Sequence, residues 1–378
     1  MVYLDHAAAT PVDSAVLAAM QPYFIDKFYN PSATYMAAQQ VRADLERARA
    51  DVARQLGART SEIIFTAGGT ESDNLAITGV MQQFPGANVV VTAIEHDAVL
   101  EPARQYMHAT ASVDERGMID VANLESRIND KTVLVSIMYA NNEVGTVQPI
   151  RQIAQLLQKK RAERRKNGNT LPLYLHTDAC QAANYLDLHV SRLGVDLMTL
   201  NGGKIYGPKQ SGVLYASSHV QLQPLVRGGG QERDLRSGTE NVAACVGFAK
   251  ALELAQARRT DEAQRLGTLQ SLAFQRITEK LPGAVINGSQ KYRLPNNIHI
   301  TLPGQDNERL LIELDGRDIL AAAGSACSAS DEEPSHVLRA MGVSDDAAQS
   351  SLRITTGRET TEADIRTLVD VLDQLVKQ

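Results

Sequence analysis

The chain predicts an α/β fold, with a large domain on a mainly parallel sheet and a smaller α+β domain. Between Ile63 and Ala216, short apolar runs that end in polar or glycine clusters alternate with helix-period segments. That alternation is the mark of βαβ units and a parallel sheet. Beyond Asn241 the pattern changes to helices around isolated short strands. A length of 378 residues also exceeds what one ordinary compact domain holds. The expected division gives residues 15–255 to the large domain, and residues 1–14 with 256–378 to the small one.

Residues 1–35 show little periodicity, and Asn30-Pro31-Ser32 signals a turn. A helix is expected from about Ala37 to Leu56, because Val41, Leu45, Ala48, Val52 and Leu56 share one face. Ile63-Ile64-Phe65 reads as a short buried strand, and Thr66 to Asn74 as a glycine turn that opens a helix. Free N–H groups and the helix dipole make such a turn an anion site, to which Gly69 gives close approach and Thr70 a hydroxyl. The same letters also suit a turn that only reverses the chain.

Asn88 to Ile94 and Thr132 to Ala140 are further strands, ending in Glu95-His96 and in Asn141-Asn142-Glu143-Val144-Gly145. His96 is either a histidine satisfied at a strand end or a ring over a flat ligand that takes part in proton transfer. A helix from Ile150 gathers Lys159, Lys160, Arg161, Arg164, Arg165 and Lys166 near its end, where cations complement the helix dipole. A nucleic-acid or partner role for that run is the alternative.

The stretch from Leu171 to Pro208 carries the strongest chemical signal. Leu171 to Leu175 is an apolar run of strand type that ends in His176, Thr177 and Asp178, with Gln181 three residues on. Val195 to Leu200 is another, ending in Asn201-Gly202-Gly203-Lys204. Ligands of open α/β sheets bind at the carboxyl ends of strands. A lysine freed by glycines there, facing an acid, suits a covalent bond to the aldehyde of pyridoxal phosphate, with the acid paired to the pyridinium nitrogen. A surface lysine and a solvated aspartate fit the same letters.

Gly212 to Ala216 returns a strand, and Arg227 to Arg233 is a glycine-rich basic loop followed by Arg236-Ser237-Gly238-Thr239. One helix is expected from Asn241 to about Arg259 and a second over about 262–280. Then come a strand at 296–302, a helix at 306–315, a strand at 318–322, a strand at Leu352 to Thr355 and a helix from Thr361. Ala323 to Pro334 is small, polar and loop-like, and it holds Cys327. A thiol among Gly, Ser and Ala is reachable in a way that buried structural cysteines are not. Arg353 is a candidate carboxylate clamp, since its fork meets a carboxylate with two parallel bonds.

Composition bounds the rest. A 43% hydrophobic and 22% charged chain is globular, and a net charge of −6 argues against a general nucleic-acid binder. No apolar run approaches the ~18 residues of a membrane span, and the first residues lack a signal-peptide pattern. A cytoplasmic location is expected. Cys180, Cys245 and Cys327 are widely spaced, which fits neither a disulfide framework nor a metal site.

The motifs YLDHAAATP, NPS, TAGGTESDNLAI, EHDAVL, NNEVGTVQP, HTDACQA, KIYGPK, GGGQERDLRSGTEN, GSACSAS and SLRITTGRETT run through nearly the whole chain. With them the sequence resembles the cysteine desulfurases of the NifS/IscS-like group, class V aminotransferases of the fold-type I pyridoxal-phosphate enzymes. The resemblance implies a seven-stranded sheet in the large domain, a homodimer, and L-cysteine as substrate. It implies that Lys204 binds the cofactor covalently, Asp178 pairs with the ring nitrogen, Gln181 bonds the ring hydroxyl and His96 stacks on the ring. Gly69 and Thr70 would cradle the phosphate, and Thr239 would reach the phosphate of the other subunit. Asn142 and Arg353 would hold the substrate carboxylate, and Cys327 would carry the sulfur as a persulfide to an iron–sulfur scaffold or a tRNA-thiolation enzyme.

The chain departs from the group in places. The group has Ser-x-His before the lysine, where this chain has Asn201 and Gly203. Asn201 is expected to keep one phosphate bond, while Gly203 loses a side-chain bond. Tyr35 stands where the Asn-Pro-Ser segment usually ends in histidine. Members of the group commonly carry further residues after the last helix that help dock a scaffold protein, which puts the usual scaffold partner in doubt here, more than the chemistry. Rival readings are a selenocysteine lyase, another class V aminotransferase, and a pyridoxal-phosphate-binding platform with weakened catalysis. Asn201 and Gly203 favour the platform; Lys204, Asp178, His96, Arg353 and Cys327 weigh against it.

Overall fold

A computed structural model describes residues 1–324 and 334–377. Its centre is a seven-stranded sheet. Across the sheet the strands are Ile63–Thr66, Gly212–Ala216, Leu197–Asn201, Tyr174–Asp178, Thr132–Ser136, Asn88–Thr92 and Met107–Ala111. Only Gly212–Ala216 pairs antiparallel with its neighbours, and the remaining pairings are parallel. Thr66, Thr92, Ser136, Asp178 and Asn201 therefore end their strands on one edge of the sheet. Most of these strands are buried on both faces, which is why Val, Ile and Leu fill them without alternation.

Three expectations change. The strand after Leu171 is Tyr174–Asp178, and it includes the polar cluster read as its end. His176 is fully buried, with Nδ1 2.8 Å from Ser136 Oγ and Nε2 3.0 Å from Thr199 Oγ1. Thr177 donates to the Ile137 carbonyl at 2.7 Å. These side chains are satisfied inside the sheet, so their polarity does not end the strand. The two helices expected around residue 260 are one helix of 39 residues, Val242–Lys280. Its first part, to Ala255, packs in the core beneath the large sheet, and Leu266, Leu269, Ala273 and Ile277 pack in a second core. The polar residues around Thr260 bridge the two cores and contain no Gly or Pro to break the helix. Finally, Met107–Ala111 is an edge strand whose residues are mostly exposed, so it has no apolar run to announce it.

The second core is roofed by an antiparallel sheet in which Asn297–Thr301 lies between Ser351–Thr355 and Val285–Ile286. The chain's first residues belong to this side. Val2–Tyr3 pairs with Ile319–Leu320, and Asp5 bridges to Thr355. From there the chain carries Ala7 and Ala8 to the edge where the large-sheet strands end. Among the described residues, no helix is long and apolar enough to cross a membrane.

Candidate active site

The strand ends and the N-terminal segment enclose a cavity of about 160 Å³. Lys204, Asp178, His96, Gln181, Gly69, Thr70, Asn201, Asn142 and Arg353 all line it. Residues far apart in the chain are thus brought to one place by the parallel topology.

Lys204 ends a short 3-10 turn, Gly202–Lys204, directly after the strand Leu197–Asn201. Asn201 starts this turn: its Oδ1 accepts from the Gly203 N–H at 2.9 Å. Behind the lysine, Tyr206 takes φ 62°, and its N–H donates to Thr10 Oγ1 at 2.8 Å. The Lys204 ammonium donates to the carbonyls of Ala7 at 2.8 Å and Ala8 at 2.6 Å. Gln181 Nε2 donates to the same Ala7 carbonyl at 3.1 Å.

Asp178 closes the next strand, and its Oδ1 accepts from the Cys180 N–H at 2.8 Å. His96 caps the helix Asp97–Arg104, with Nδ1 accepting from the Ala98 N–H at 3.0 Å. That bond places the proton of a neutral His96 on Nε2. Arg353 lies in the strand Ser351–Thr355 and is 1% exposed. One guanidinium nitrogen donates to Asp5 Oδ1 at 2.7 Å, and the other reaches the Asn142 carbonyl at 3.4 Å. Its Nε has no partner among the described residues.

Below these groups lies a buried acid cluster. Asp73 is held well above the usual carboxylate range, first by burial and then by the charge of Asp178. Burial also pushes Glu95 up to about 8, although Thr92 Oγ1 at 2.5 Å and the Met138 N–H at 2.9 Å both donate to it. His176 is pushed down to about 4 by burial. Glu95 is therefore mostly protonated at neutral pH, and Asp73 is shifted in the same direction.

The residues present fit pyridoxal phosphate. Lys204 would offer an amine to the aldehyde and Asp178 an acid to the ring nitrogen. An adjoining cavity of about 630 Å³ lined by Gly68, Gly69, Thr70, Asn201 and Gly203 would take the phosphate. At Gly69 a Cβ would stand 2.9 Å from Cys180 Sγ and 3.3 Å from Asn201 Nδ2, so the cradle has no room for a side chain there. The turn also feeds the N-terminus of the helix Gly69–Gln83, which suits an anion.

Thr239 is not part of this cavity; it lines a separate one of about 290 Å³ with Arg236 and Glu240. Cys327 lies outside the described residues. Sequence reasoning missed Asp5, Asp73, Glu95 and the carbonyls of Ala7 and Ala8. Asp73 had one signal, an acid within the helix that follows the glycine turn. The basic run on the helix Ile150–Lys166 is partly structural. Arg164 is buried and donates to the Thr132 and Asn129 carbonyls, Arg161 pairs with Asp196, and Lys160 pairs with Glu125.

Residues 2–368 match the family model described as aminotransferase class-V. A cysteine desulfurase IscS from Dictyoglomus turgidum is 38% identical over 384 residues, which cover 100% of this chain and 95% of that protein. Among solved structures, a NifS-like protein superposes with a TM-score of 0.90 at 32% identity, covering 100% of this chain and 99% of the other. SspA in complex with cysteine gives a TM-score of 0.80 at 33% identity, with 94% and 98% covered.

Proposed function

The chain belongs to the class V aminotransferase family and is a pyridoxal-phosphate-dependent cysteine desulfurase, and from that premise we propose how its residues divide the work. The observation that supports the division is the single cavity lined by Lys204, Asp178, His96, Asn142 and Arg353. When bound, the cofactor supplies an electron sink for charge left on the substrate Cα. Arg353 and Asn142 seat the substrate carboxylate. Lys204 holds the cofactor and then moves the Cα proton. Asp178 keeps a proton on the ring nitrogen. His96 covers the ring, and Nε2 is its proton-carrying atom. The Cys327 thiolate attacks the substrate sulfur: an S–S bond forms, the Cβ–S bond breaks, and L-cysteine plus the enzyme thiol become L-alanine plus an enzyme persulfide. Free cysteine has a pKa of ~8.5, so the site must favour the thiolate.

The protein works in the cytoplasm as a homodimer and passes sulfur to an acceptor protein, an iron–sulfur scaffold or a tRNA-thiolation enzyme. Exposed Leu17, Phe24, Ile25, Phe28, Tyr35 and Met36 support the dimer, since monomers rarely leave so many large apolar groups in one short stretch open to water. The position of Thr239 away from its own chain's cavity agrees with a role at the partner's phosphate. The test is the reaction itself. Protein loaded with pyridoxal phosphate should release sulfide and alanine in equal amounts from L-cysteine and a thiol reductant. Pyruvate or keto-acid production without sulfide would overturn the reading, and sedimentation at a monomer mass would overturn the dimer.

A further inference from the structure

We propose that Lys209 is the cation that binds the cofactor phosphate in this chain, reaching it through the space that Gly203 leaves open. The proposal rests on the pyridoxal-phosphate reading above. A phosphate ester carries up to two negative charges, and the glycine turn with Thr70 offers it only dipoles. The charged residues that line the larger cavity are Glu71, Lys204 and Lys209. Glu71 is engaged by Arg236 at 2.9 Å and by the Ala67 N–H at 3.0 Å. Lys204 is committed to the cofactor's aldehyde. Lys209 is left as the countercharge from this chain's lining.

Its position suits the role. The Lys209 ammonium rests on the Thr10 carbonyl at 3.0 Å, a neutral acceptor that a phosphate oxygen outcompetes. Thr10 in turn donates to the Gly203 carbonyl through its N–H and its hydroxyl, both at 3.1 Å. Thr10, Gly203 and Lys209 are therefore held as one unit. A Cβ on Gly203 would stand 3.6 Å from Lys209 Cγ and 3.4 Å from Asn201 Oδ1. A side chain at 203 would thus lie between the lysine stem and the cradle. Gly203 is not among the glycines with positive φ, so the backbone does not require glycine there. What the glycine provides is the opening.

The experiment compares the dissociation constants of pyridoxal phosphate and of pyridoxal, which lacks the phosphate, by absorbance titration of the apoprotein. Lys209→Gln should weaken pyridoxal phosphate by about ten- to a hundred-fold and leave pyridoxal unchanged, while Lys209→Arg keeps the preference. In a Gly203→His background, Lys209→Gln should have little further effect. Equal loss of both ligands would make Lys209 a structural support of Thr10 and overturn the proposal, as would unchanged affinity for pyridoxal phosphate. The same cost in both backgrounds would overturn the path through Gly203. Failure of the wild-type protein to bind either ligand would strike the cofactor reading itself.

Discussion

Asp5 and Arg353 lie 348 residues apart in sequence and meet at 2.7 Å between Oδ1 and Nη2. The pair joins the first residues of the chain to the strand that holds the proposed carboxylate clamp, Arg353. Arg353 is almost wholly buried, while the Asp5 side chain is 19% exposed. The aspartate both neutralises the guanidinium and fixes its plane, so the fork is set before substrate arrives. An arginine left buried without its partner would be costly.

Asp5→Asn should therefore raise the KM for L-cysteine by about tenfold, with kcat changed much less. Arg353→Lys should cost more, on the order of a hundredfold in kcat/KM, because a point charge cannot replace a two-pronged contact. Steady-state kinetics on both variants check this. A lower KM in Asp5→Asn would show that Asp5 competes with the substrate carboxylate rather than orienting its partner.

Glu95 should make the protein less stable as pH rises. Its carboxyl titrates near 4.5 in the unfolded chain and near 8 when buried. Between those values the folded state holds a proton that the unfolded state has released. The stabilisation is full below about 4.5 and is lost as pH climbs through 8. Asp73, also raised, contributes with the same sign. His176, pushed down to about 4 from 6.5, acts in the opposite direction, but only below 6.5. Denaturant unfolding of wild type and Glu95→Gln at pH 6.5 and at pH 8 isolates the share due to Glu95. Glu95→Gln should lose about 1–2 kcal/mol less than wild type across that interval. Parallel losses in the two proteins would mean that Glu95 is already ionised.

Asp73 and Asp178 line the same cavity, yet they should answer differently to amide replacement. Burial and the charge of Asp178 push Asp73 towards its neutral form, which Asp73→Asn mimics in shape and charge. Bound cofactor should keep its absorbance and its pH profile in that variant. Asp178→Asn removes the acid proposed to keep the ring nitrogen protonated, and both properties should change. A shifted pH profile in Asp73→Asn would show that a second charge lies under the ring.

The chemistry was legible where it interrupts an apolar run. Lys204 stands out because two glycines precede it at a strand end, and Asp178 because it follows Leu173, Tyr174 and Leu175. Other parts carry no such contrast. The carbonyls of Ala7 and Ala8 act through the backbone, which leaves no trace in residue type. His176 and Thr177 look like a strand end because their partners, Ser136, Thr199 and the Ile137 carbonyl, belong to neighbouring strands. Asp5 and Asp73 read as ordinary surface acids until the fold buries what they face. The helix Val242–Lys280 hid its continuity because its middle crosses between two cores and meets solvent.

The last prediction separates the three cysteines. Cys180 lines the cavity, but it is buried, and burial followed by the charge of Asp178 holds its thiol well above the usual range. A thiol held protonated is a poor nucleophile. Cys245 is buried in the helix Val242–Lys280, where burial again pushes its thiol up. That leaves Cys327, by its sequence setting, as the proposed sulfur acceptor. Cys327→Ala should bind pyridoxal phosphate as wild type does, since Lys204, Asp178, Gln181 and His96 are untouched. Its absorbance should still respond to L-cysteine, because Arg353 and Asn142 can seat the substrate. Sulfide release should then fall to background, with no thiolate to take the sulfur. Cys180→Ala and Cys245→Ala should keep most of the activity. Stopped-flow absorbance and a sulfide assay on the three variants decide the matter. Near-normal sulfide release by Cys327→Ala, with loss in Cys180→Ala, would move the persulfide to Cys180.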